Sequence, residues 1–484
     1  MLEYVKDNWW SILIIFNYLI AASAVITIIL KNLNPTKTLS YIVVLVFFPF
    51  LGLIVYYLFG QEYRKNKIFS KKGLLNKTVI KSIHKELELS SDELNDVNNY
   101  LDEKVKLVRL LYSNENELLT LNNDVDIIIN GNDKFEKLLA DIKQAKHHVH
   151  LEYYIIKDDT IGSQLLNLLC DRAKEGVTVR LSYDDVGSKI SKKMKLKLSN
   201  AGVHHYPFMP VFFSTLTGKM NYRNHRKIVI IDGKIGYVGG INISDVYVND
   251  NGTRYWRDTH LRIVGDAVKS LQIHFLSTWK FVSKETITQF KPFFPKLKTL
   301  NTKIGLQIAG SGPDTDWANI MELSITAIIT AKSYVYITTP YFVPNDEMIS
   351  AIQIAAKSGV DVRLIIPEKS DSWMVKHASN SFLEALFKAT VKVYKYYKGF
   401  VHAKTIVVDD IFAMVGTSNM DYRSFNINFE INSVIYNVEK SKQLKAHFLE
   451  DLKHSNAVDY NTYAKQSKFE KLKESYCRLW SPLI

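Results

Sequence analysis

Two histidine–lysine pairs in the sequence could together carry out chemistry on a phosphodiester. His225 and Lys227 recur 177 residues later as His402 and Lys404. An aspartate, a glycine and an asparagine follow each pair at the same intervals, so the pattern H-x-K-x4-D-x6-G-x2-N occurs twice. The remaining positions of the pattern are Asp232, Gly239, Asn242, Asp409, Gly416 and Asn419. An imidazole can serve as nucleophile or as general acid and base, while ammonium and amide groups stabilise phosphate oxygens. One copy supplies half of such a site, and two copies supply a whole one.

The duplication decides between this interpretation and simpler ones. A single H-x-K on a strand is usually a surface pair, but two copies that share the later Gly and Asn are not accidental. A zinc site is disfavoured because lysine is not a zinc ligand and neither copy has a second His or Cys at ligand spacing. We therefore expect no metal and no other cofactor.

Strand hairpins are predicted to position these residues. The apolar run after each histidine is typical of a buried strand, and residues at i and i+2 project from the same face of a strand. Asp232-Gly233 is a strong turn signal, and I-G-Y-V-G-G is a suitable partner strand. Asn242 would then lie at the end of the second strand, close to His225 and Lys227.

The two halves of the chain repeat beyond the motifs. V-H-L-E-Y-Y-I-I and then G-V-T-V-R-L at 176–181 correspond to V-Y-I-T-T-P-Y-F-V and then G-V-D-V-R-L at 359–364. A helix is expected between the members of each pair, which predicts two tandem α/β units. The segment 291–302, which contains P-F-F-P, is the predicted junction, so we expect a first half at 105–296 and a second at 297–484.

Composition narrows the class of protein. The chain has 484 residues, 47% of them hydrophobic, a formal charge of +13 and two cysteines, Cys170 and Cys477. This size accommodates two globular units and membrane segments. The positive charge favours a polyanionic partner, either nucleic acid or an anionic lipid surface. Two cysteines argue against a disulfide framework and agree with a reducing compartment.

Two uncharged apolar segments, about 9–30 and 39–59, are each long enough to span a bilayer, so residues 1–60 are predicted to form a transmembrane hairpin. A signal peptide cleaved near Ala22-Ser23-Ala24 is disfavoured because apolar residues continue to Leu30. The basic residues after the hairpin outnumber those in its loop and place the catalytic part in the cytoplasm. These basic residues are Arg64, Lys65, Lys67, Lys71 and Lys72, against Lys31 and Lys37 in the loop.

Other polar groups were weighed as site residues. The charged segment 61–104 is predicted to be a connector that contains an amphipathic helix at K-S-I-H-K-E-L-E-L-S-S-D-E-L-N. Alternation of His148 and His150 marks one face of a strand better than it indicates a metal site. The pair Asp184-Asp185 follows a strand and could either face the cleft or cap the next helix.

The duplicated motif resembles that of the phospholipase D superfamily, and bacterial cardiolipin synthases in particular. The similarity extends to the N-terminal hairpin that ends in Y-Y-L-F-G, to H-L-E-Y-Y-I-I, to T-P-Y-F-V-P, to G-T-S-N-M-D-Y-R-S-F-N-I-N-F-E and to the terminal S-P-L-I. It implies a single catalytic body with pseudo-twofold symmetry behind a two-helix hairpin, in a multi-pass protein of the bacterial cell membrane. The first copy has Gly240 where the second has Thr417, so the first lacks a hydroxyl donor that the second has.

The resemblance implies phosphatidyl transfer between two phosphatidylglycerol molecules, which gives cardiolipin and glycerol through a phosphohistidine. His225 would be the nucleophile and His402 the general acid and base, while Lys227, Lys404, Asn242 and Asn419 would hold phosphate oxygens. Within the motifs, Asp232 and Asp409 resemble structural anchors. The family suggests instead that Glu430 orients His225 and that Asp258 orients His402.

Three other interpretations stay open on the sequence. A hydrolase would pass the phosphatidyl group to water, and a related transferase would use a different acceptor. The hairpin favours lipid over nucleic acid, so a nuclease is disfavoured and phosphatidylglycerol and an anionic membrane surface are the expected partners. A binding protein that has lost catalysis is disfavoured because both motifs are complete. A homo-oligomer is compatible with the sequence.

Overall fold

A computed structural model describes residues 8–30, 35–59, 77–209, 222–249, 255–285 and 287–483. These residues form two compact units, the N-terminal helices up to residue 59 and the body from residue 77. The basic flank 61–72 and most of the hairpin loop, on which the predicted orientation depends, lie outside the described residues.

The N-terminal unit contains three apolar helices, α1 (Trp9–Leu30), α2 (Pro35–Phe47) and α3 (Pro49–Phe59). Helix α1 is long and apolar enough to cross a membrane, as predicted. The second segment differs from its prediction as one helix over 39–59, because it begins earlier and is divided at Phe48. Pro49 explains the division, since proline lacks an N–H and disfavours the helical conformation of the residue before it.

The segment predicted to hold one amphipathic helix contains two, α4 (Lys77–Leu87) and α5 (Ser91–Leu101). Ser90 divides them because its hydroxyl accepts the Glu93 N–H while the Glu93 carboxylate accepts the Ser90 N–H. Helix α6 (Val105–Glu115), which the sequence boundaries place in the first half, packs through Leu107 and Leu111 into the core of the second.

The first half is built on a seven-stranded sheet with the order β1-β8-β6-β5-β2-β3-β4. Its strands are β1 (Asn123–Ile128), β2 (His148–Tyr153), β3 (Thr178–Asp184), β4 (His204–Phe208), β5 (Lys227–Ile231), β6 (Ile235–Gly239) and β8 (His260–Gly265). Its helices are α7 (Gly131–Lys143), α8 (Thr160–Lys174), α9 (Lys192–Asn200) and α10 (Ala267–Ser283).

The second half repeats that order in an eight-stranded sheet, β19-β13-β12-β10-β15-β16-β18-β9. Its strands are β9 (Gly305–Ser311), β10 (Tyr334–Thr338), β12 (Asp361–Pro367), β13 (Lys392–Tyr396), β15 (Thr405–Val408), β16 (Phe412–Gly416), β18 (Glu430–Tyr436) and β19 (Ser455–Ala457). Its helices are α11 (Asn319–Ile329), α12 (Asp346–Lys357), α13 (Trp373–Phe387), α14 (Tyr422–Asn426), α15 (Val438–Lys453), α16 (Tyr460–Ala464) and α17 (Lys468–Leu479). The matching strand orders confirm two related α/β units, and the predicted junction falls between α10 and β9.

The two sheets share a central apolar layer. Strand β5 shows how the sequence builds it, since Ile228 and Ile230 face that layer while Val229 and Ile231 face the outer helices α7 and α8. Strands β6 and β8 meet β16 and β18 across the layer, and α10 and α15 pack into it. The halves therefore form one body, as the predicted fold class requires.

Short parallel ladders also join the halves. Strand β7 (Tyr255–Arg257) pairs with β14 (Gly399–Val401), and Asn224 forms an isolated bridge with Phe429. Within the second half, β11 (Phe342–Val343) pairs with β17 (Met420–Asp421). The two ladders between halves lie directly before the motif histidines and before the carboxylates that contact them.

Candidate active site

Both motifs fold as the predicted hairpins, β5–β6 and β15–β16. The first turns through Asp232-Gly233 and the second through Asp409-Asp410, and all four residues have positive φ angles of 52 to 64°. Such paired left-handed residues are typical of the two-residue turns that match the twist of antiparallel strands. Each histidine and lysine stands at the opposite end of its hairpin from the turn.

Each motif histidine is hydrogen-bonded to a carboxylate from the other half. His225 Nδ1 lies 2.9 Å from Glu430 Oε2, and His402 Nδ1 lies 2.6 Å from Asp258 Oδ2. The crossed arrangement predicted from the family is therefore present. A carboxylate can only accept, so each imidazole donates from Nδ1 and its Nε2 is left for chemistry.

The crossing follows from the ladders that join the halves. The His225 N–H donates to Phe429 O, one residue before Glu430, at 2.9 Å. The His402 N–H donates to Arg257 O, one residue before Asp258, at 2.7 Å. Backbone hydrogen bonds therefore fix the distance between each imidazole and its carboxylate, and the side chains need little freedom to meet.

The two motif lysines are held against the backbone of their own histidines. Lys227 Nζ donates to His225 O at 2.7 Å, and Lys404 Nζ donates to His402 O at 2.5 Å. Both lysines are buried, and the two histidines are only 9% and 7% exposed. Each half thus presents one imidazole and one ammonium as a rigid unit.

Electrostatic coupling shows that the two units share one space. Burial lowers the pKa of Lys227 to about 7 and that of Lys404 to about 8, and the charge of Lys404 adds to the effect on Lys227. Burial and the charge of Lys404 lower the pKa of His402 to about 3, and the charge of Lys227 contributes. Burial also lowers the pKa of His225, and the charges of Lys227 and Lys404 add to the effect, although Glu430 opposes it. Both imidazoles are therefore neutral at neutral pH, and an anion placed between the lysines would raise the pKa of each.

The two carboxylates are supported differently. Glu430 Oε2 also accepts the Thr417 hydroxyl at 2.6 Å, so the hydroxyl that only the second motif contains serves the histidine of the first. At the equivalent position, a Cβ added to Gly240 would lie 2.1 Å from Asp258 Oδ1. The longer Glu430 is matched with a donor, and the shorter Asp258 is matched with a glycine that makes room for it.

Aromatic rings enclose the imidazoles, and the sequence gave no signal for most of them. Tyr154 meets the His225 ring edge-on with 4.9 Å between centroids, and Lys227 Nζ lies 5.5 Å from the Tyr154 centroid. The rings of Tyr247 and Trp256 lie 5.8 and 5.7 Å from that of His402. The positions of Tyr154 and Trp256 beside H-L-E and R-D in the sequence are the only local hints.

Asp232 and Asp409 lie away from the imidazoles. Asp232 accepts the backbone N–H groups of residues 146, 147 and 148, and Asp409 accepts those of 332, 333 and 334, all between 2.8 and 3.1 Å. Burial opposes the shift, but these donors lower the pKa of both carboxyls. Since a five-residue strand separates Lys227 from Asp232, about 17 Å of chain lies between them. The aspartates tie each hairpin to the start of the neighbouring strand, β2 or β10, as expected of anchors.

The two motif asparagines differ in their contacts. Asn242 Oδ1 accepts the Ile155 N–H at 3.2 Å, and its Nδ2 donates to the Tyr247 hydroxyl at 2.6 Å, so Asn242 supports a ring that contacts His402. Asn419 Oδ1 is buried without a hydrogen-bond partner among the described residues, and its side chain hydrogen-bonds to Asp421. Phosphate binding by either asparagine stays a prediction.

Three other polar groups have structural surroundings. Asp184 accepts the N–H groups of Val186 and Gly187 and, at 3.1 Å, that of Asn224, which precedes His225. Its carboxylate therefore holds the turn after β3 and the segment leading into the first motif. His148 and His150 are buried beside Gln272, whose amide group lies within hydrogen-bonding distance of both rings. Those two rings therefore belong to the face of β2 that packs against α10.

Lys134 is a buried residue that sequence reasoning missed. It is fully buried, its Nζ has no hydrogen-bond partner among the described residues, and it lies 4.0 Å from the Phe135 ring centroid. Burial lowers its pKa well below the ordinary value, and the negative charge of Asp258 opposes this. Lys134 is thus a second cation within electrostatic reach of the carboxylate that contacts His402.

Comparison with protein families gives two matches. The model described as "Cardiolipin synthase, PLD-like domain" matches residues 138–279 and 324–452, which together contain both motifs. The model described as "Phospholipase_D-nuclease N-terminal" matches residues 19–61.

Curated relatives match over almost the whole chain. A cardiolipin synthase of Halalkalibacterium halodurans is 40% identical over 99% of this chain and 96% of its own length. One from Alkalihalophilus pseudofirmus is 41% identical over 95% of this chain and 91% of its own length. The major cardiolipin synthase of Bacillus subtilis is 40% identical over 98% of both. Among solved structures, a phosphatidylserine synthase of Haemophilus influenzae covers 78% of this chain and all of its own, with a TM-score of 0.60 and 12% identity, and so shares the fold.

Proposed function

The chain belongs to the cardiolipin synthase family of phospholipase D-like enzymes, and from this membership and the site geometry we propose its substrate and mechanism. Two phosphatidylglycerol molecules are joined to give cardiolipin, with release of glycerol. The observation that carries the proposal is the pair of crossed contacts, His225 with Glu430 and His402 with Asp258, around two buried lysines.

In the first step His225 Nε2 attacks the phosphorus of the donor lipid. The bond between phosphorus and the glycerol oxygen breaks, and His402 Nε2 gives its proton to that oxygen. Glu430 accepts from Nδ1 of His225 and so stabilises the positive charge that develops on the attacking ring. The phosphate anion between the lysines raises the pKa of His402, which allows it to carry the proton that this step needs.

In the second step the headgroup hydroxyl of another phosphatidylglycerol attacks the phosphohistidine. His402 Nε2 takes the hydroxyl proton while the phosphorus–nitrogen bond to His225 breaks. Both imidazoles return to their starting protonation states, so the cycle balances without a nucleotide. Lys227 and Lys404 stabilise the charge on the non-bridging oxygens in both transition states, and Asn242 and Asn419 are proposed to assist.

The surroundings of the histidines favour a lipid acceptor over water. The imidazoles are almost wholly buried, and the rings of Tyr154, Tyr247 and Trp256 lie against them. Such a lining limits access of bulk water to the phosphohistidine and favours transfer over hydrolysis. The apolar N-terminal helices are proposed to hold the enzyme in the bacterial membrane as a hairpin, with the catalytic body in the cytoplasm.

The test is product identity with the purified full-length chain in vesicles of radiolabelled phosphatidylglycerol. Cardiolipin and glycerol in equal amounts support the proposal, whereas phosphatidic acid would indicate a hydrolase and no product would refute catalysis. His225→Ala and His402→Ala should each abolish product. In His402→Ala a labelled phosphohistidine should accumulate at position 225, and label on any other residue would overturn the assignment of the nucleophile.

A further inference from the structure

The C-terminal helix α17 presents an unusually apolar face to solvent. Five large side chains recur at i, i+3, i+7, i+10 and i+11, so they lie along one side of the helix. Their exposed fractions are 66% for Phe469, 64% for Leu472, 52% for Tyr476, 76% for Leu479 and 40% for Trp480. We name these five residues the α17 face.

The opposite side of α17 is fixed to the body. Glu474 and Cys477 are buried where the helix packs along α13. The Tyr463 hydroxyl joins Glu474 Oε2 at 3.1 Å and also donates to Asn380 O at 3.0 Å. Because the helix is held on this side, the α17 face is directed away from the core of the body.

Basic residues border the α17 face. Lys468, Lys471 and Arg478 are exposed and lie to one side of it on the helix, while Lys473 lies on the other side with its Nζ 4.6 Å from the Phe469 ring centroid. An apolar stripe that contains tryptophan and tyrosine and is bordered by lysine and arginine is typical of helices that lie in the plane of a bilayer surface.

The α17 face is connected to the catalytic site at its C-terminal end. The helical turn Ser481–Leu483 that follows α17 contacts α14. Helix α14 begins at Tyr422, three residues after Asn419 of the second motif. At the other side, α13 begins with the 58% exposed Trp373, two residues after Asp371, whose charge raises the pKa of Lys404.

We infer that the α17 face docks the catalytic body onto an anionic bilayer and so places the site at the surface that holds its lipid substrate. The inference rests on the proposed function only for the identity of that substrate. The basic border is complementary to phosphatidylglycerol headgroups, and the five apolar side chains would enter the boundary between headgroups and acyl chains.

Activity on two physical forms of one substrate tests this. The full-length double variant Leu472→Glu with Leu479→Glu should lose at least tenfold of its activity on phosphatidylglycerol vesicles. It should keep wild-type activity on short-chain phosphatidylglycerol dispersed as monomers, because the catalytic groups are untouched. Ile354→Glu, at a 53% exposed apolar position on α12, is the matched control and should leave both activities unchanged.

The outcomes separate the docking inference from the proposed function. An equal loss on both substrates, or none on either, would overturn docking. If no variant and not the wild type makes cardiolipin from monomers or vesicles, the proposed function fails, and docking is then judged by a measurement that needs no catalysis.

That measurement is fluorescence of an environment-sensitive dye on Leu472→Cys in the full-length chain. Cys170 and Cys477 are buried, so the new thiol is the one expected to react. Emission should shift to the blue in bilayers of phosphatidylglycerol relative to phosphatidylcholine. Equal emission in both lipids would overturn the inference, as would a shift that depends on protein concentration in detergent, which would show that a second copy covers the face.

Discussion

Replacing Lys227 with methionine should stabilise the protein while abolishing its activity. The ammonium is wholly buried, and burial lowers its pKa from 10.5 to about 7. That difference corresponds to on the order of 5 kcal/mol of unfavourable free energy in the folded protein at low pH. Methionine removes this charge but leaves His225 O without its donor, which costs about 1–3 kcal/mol. The balance at pH 6 favours the variant.

The sign of the pH dependence gives a sharper test. The folded pKa of Lys227 lies below the unfolded one, so the destabilisation is complete below about pH 7. It diminishes as pH rises from about 7 towards 10.5, because the folded protein then no longer carries the buried charge. Between pH 6 and pH 9 the wild type should therefore recover about 3 kcal/mol relative to Lys227→Met.

The assay is thermal unfolding of the purified full-length protein in detergent at pH 6 and pH 9. Lys227→Met should melt a few degrees above the wild type at pH 6, and the difference should narrow at pH 9. Lys357→Met, on an exposed lysine of α12, should show no such change with pH. A variant that melts below the wild type at pH 6, or a gap that does not narrow, would refute the reasoning.

Two further substitutions test the surroundings of the site. Gly240→Ala should displace the Asp258 carboxylate from His402, since the new Cβ would lie 2.1 Å from Oδ1; turnover should fall by about 10²-fold or more with little change in melting temperature, and Thr417→Ala, which removes bulk at the equivalent position, should not displace a carboxylate. Asp232→Ala should lower stability by about 3 kcal/mol, because three backbone N–H groups lose their acceptor, while turnover per folded molecule stays near that of the wild type. Asp232→Asn keeps an oxygen acceptor and should lie between the two in melting temperature, whereas a loss of rate alone would contradict the anchoring role.

Local features of the fold could be predicted because they depend on neighbours in the chain. The period-2 alternation of β5 and the Asp232-Gly233 turn predicted the first hairpin, and the repeated spacing predicted its counterpart. Pro49 carried a signal that the prediction of one helix over 39–59 did not use, and Ser90 with Glu93 did the same for the amphipathic segment. In both cases a single residue altered the backbone hydrogen bonding of a segment whose apolar pattern continued through it.

The sequence by itself determined the chemical groups of the site: two imidazoles, two ammonium groups and their equal spacing in two related halves. Only the tertiary structure decided how those groups are tuned. The contacts of His225 with Glu430 and of His402 with Asp258 join residues 205 and 144 positions apart. The lowered lysine pKa values require knowledge of burial, and the role of Gly240 requires knowledge of where Asp258 lies. Short-range patterns encode hairpins because turns and pleats are local, whereas burial and crossed contacts arise when two distant halves pack together.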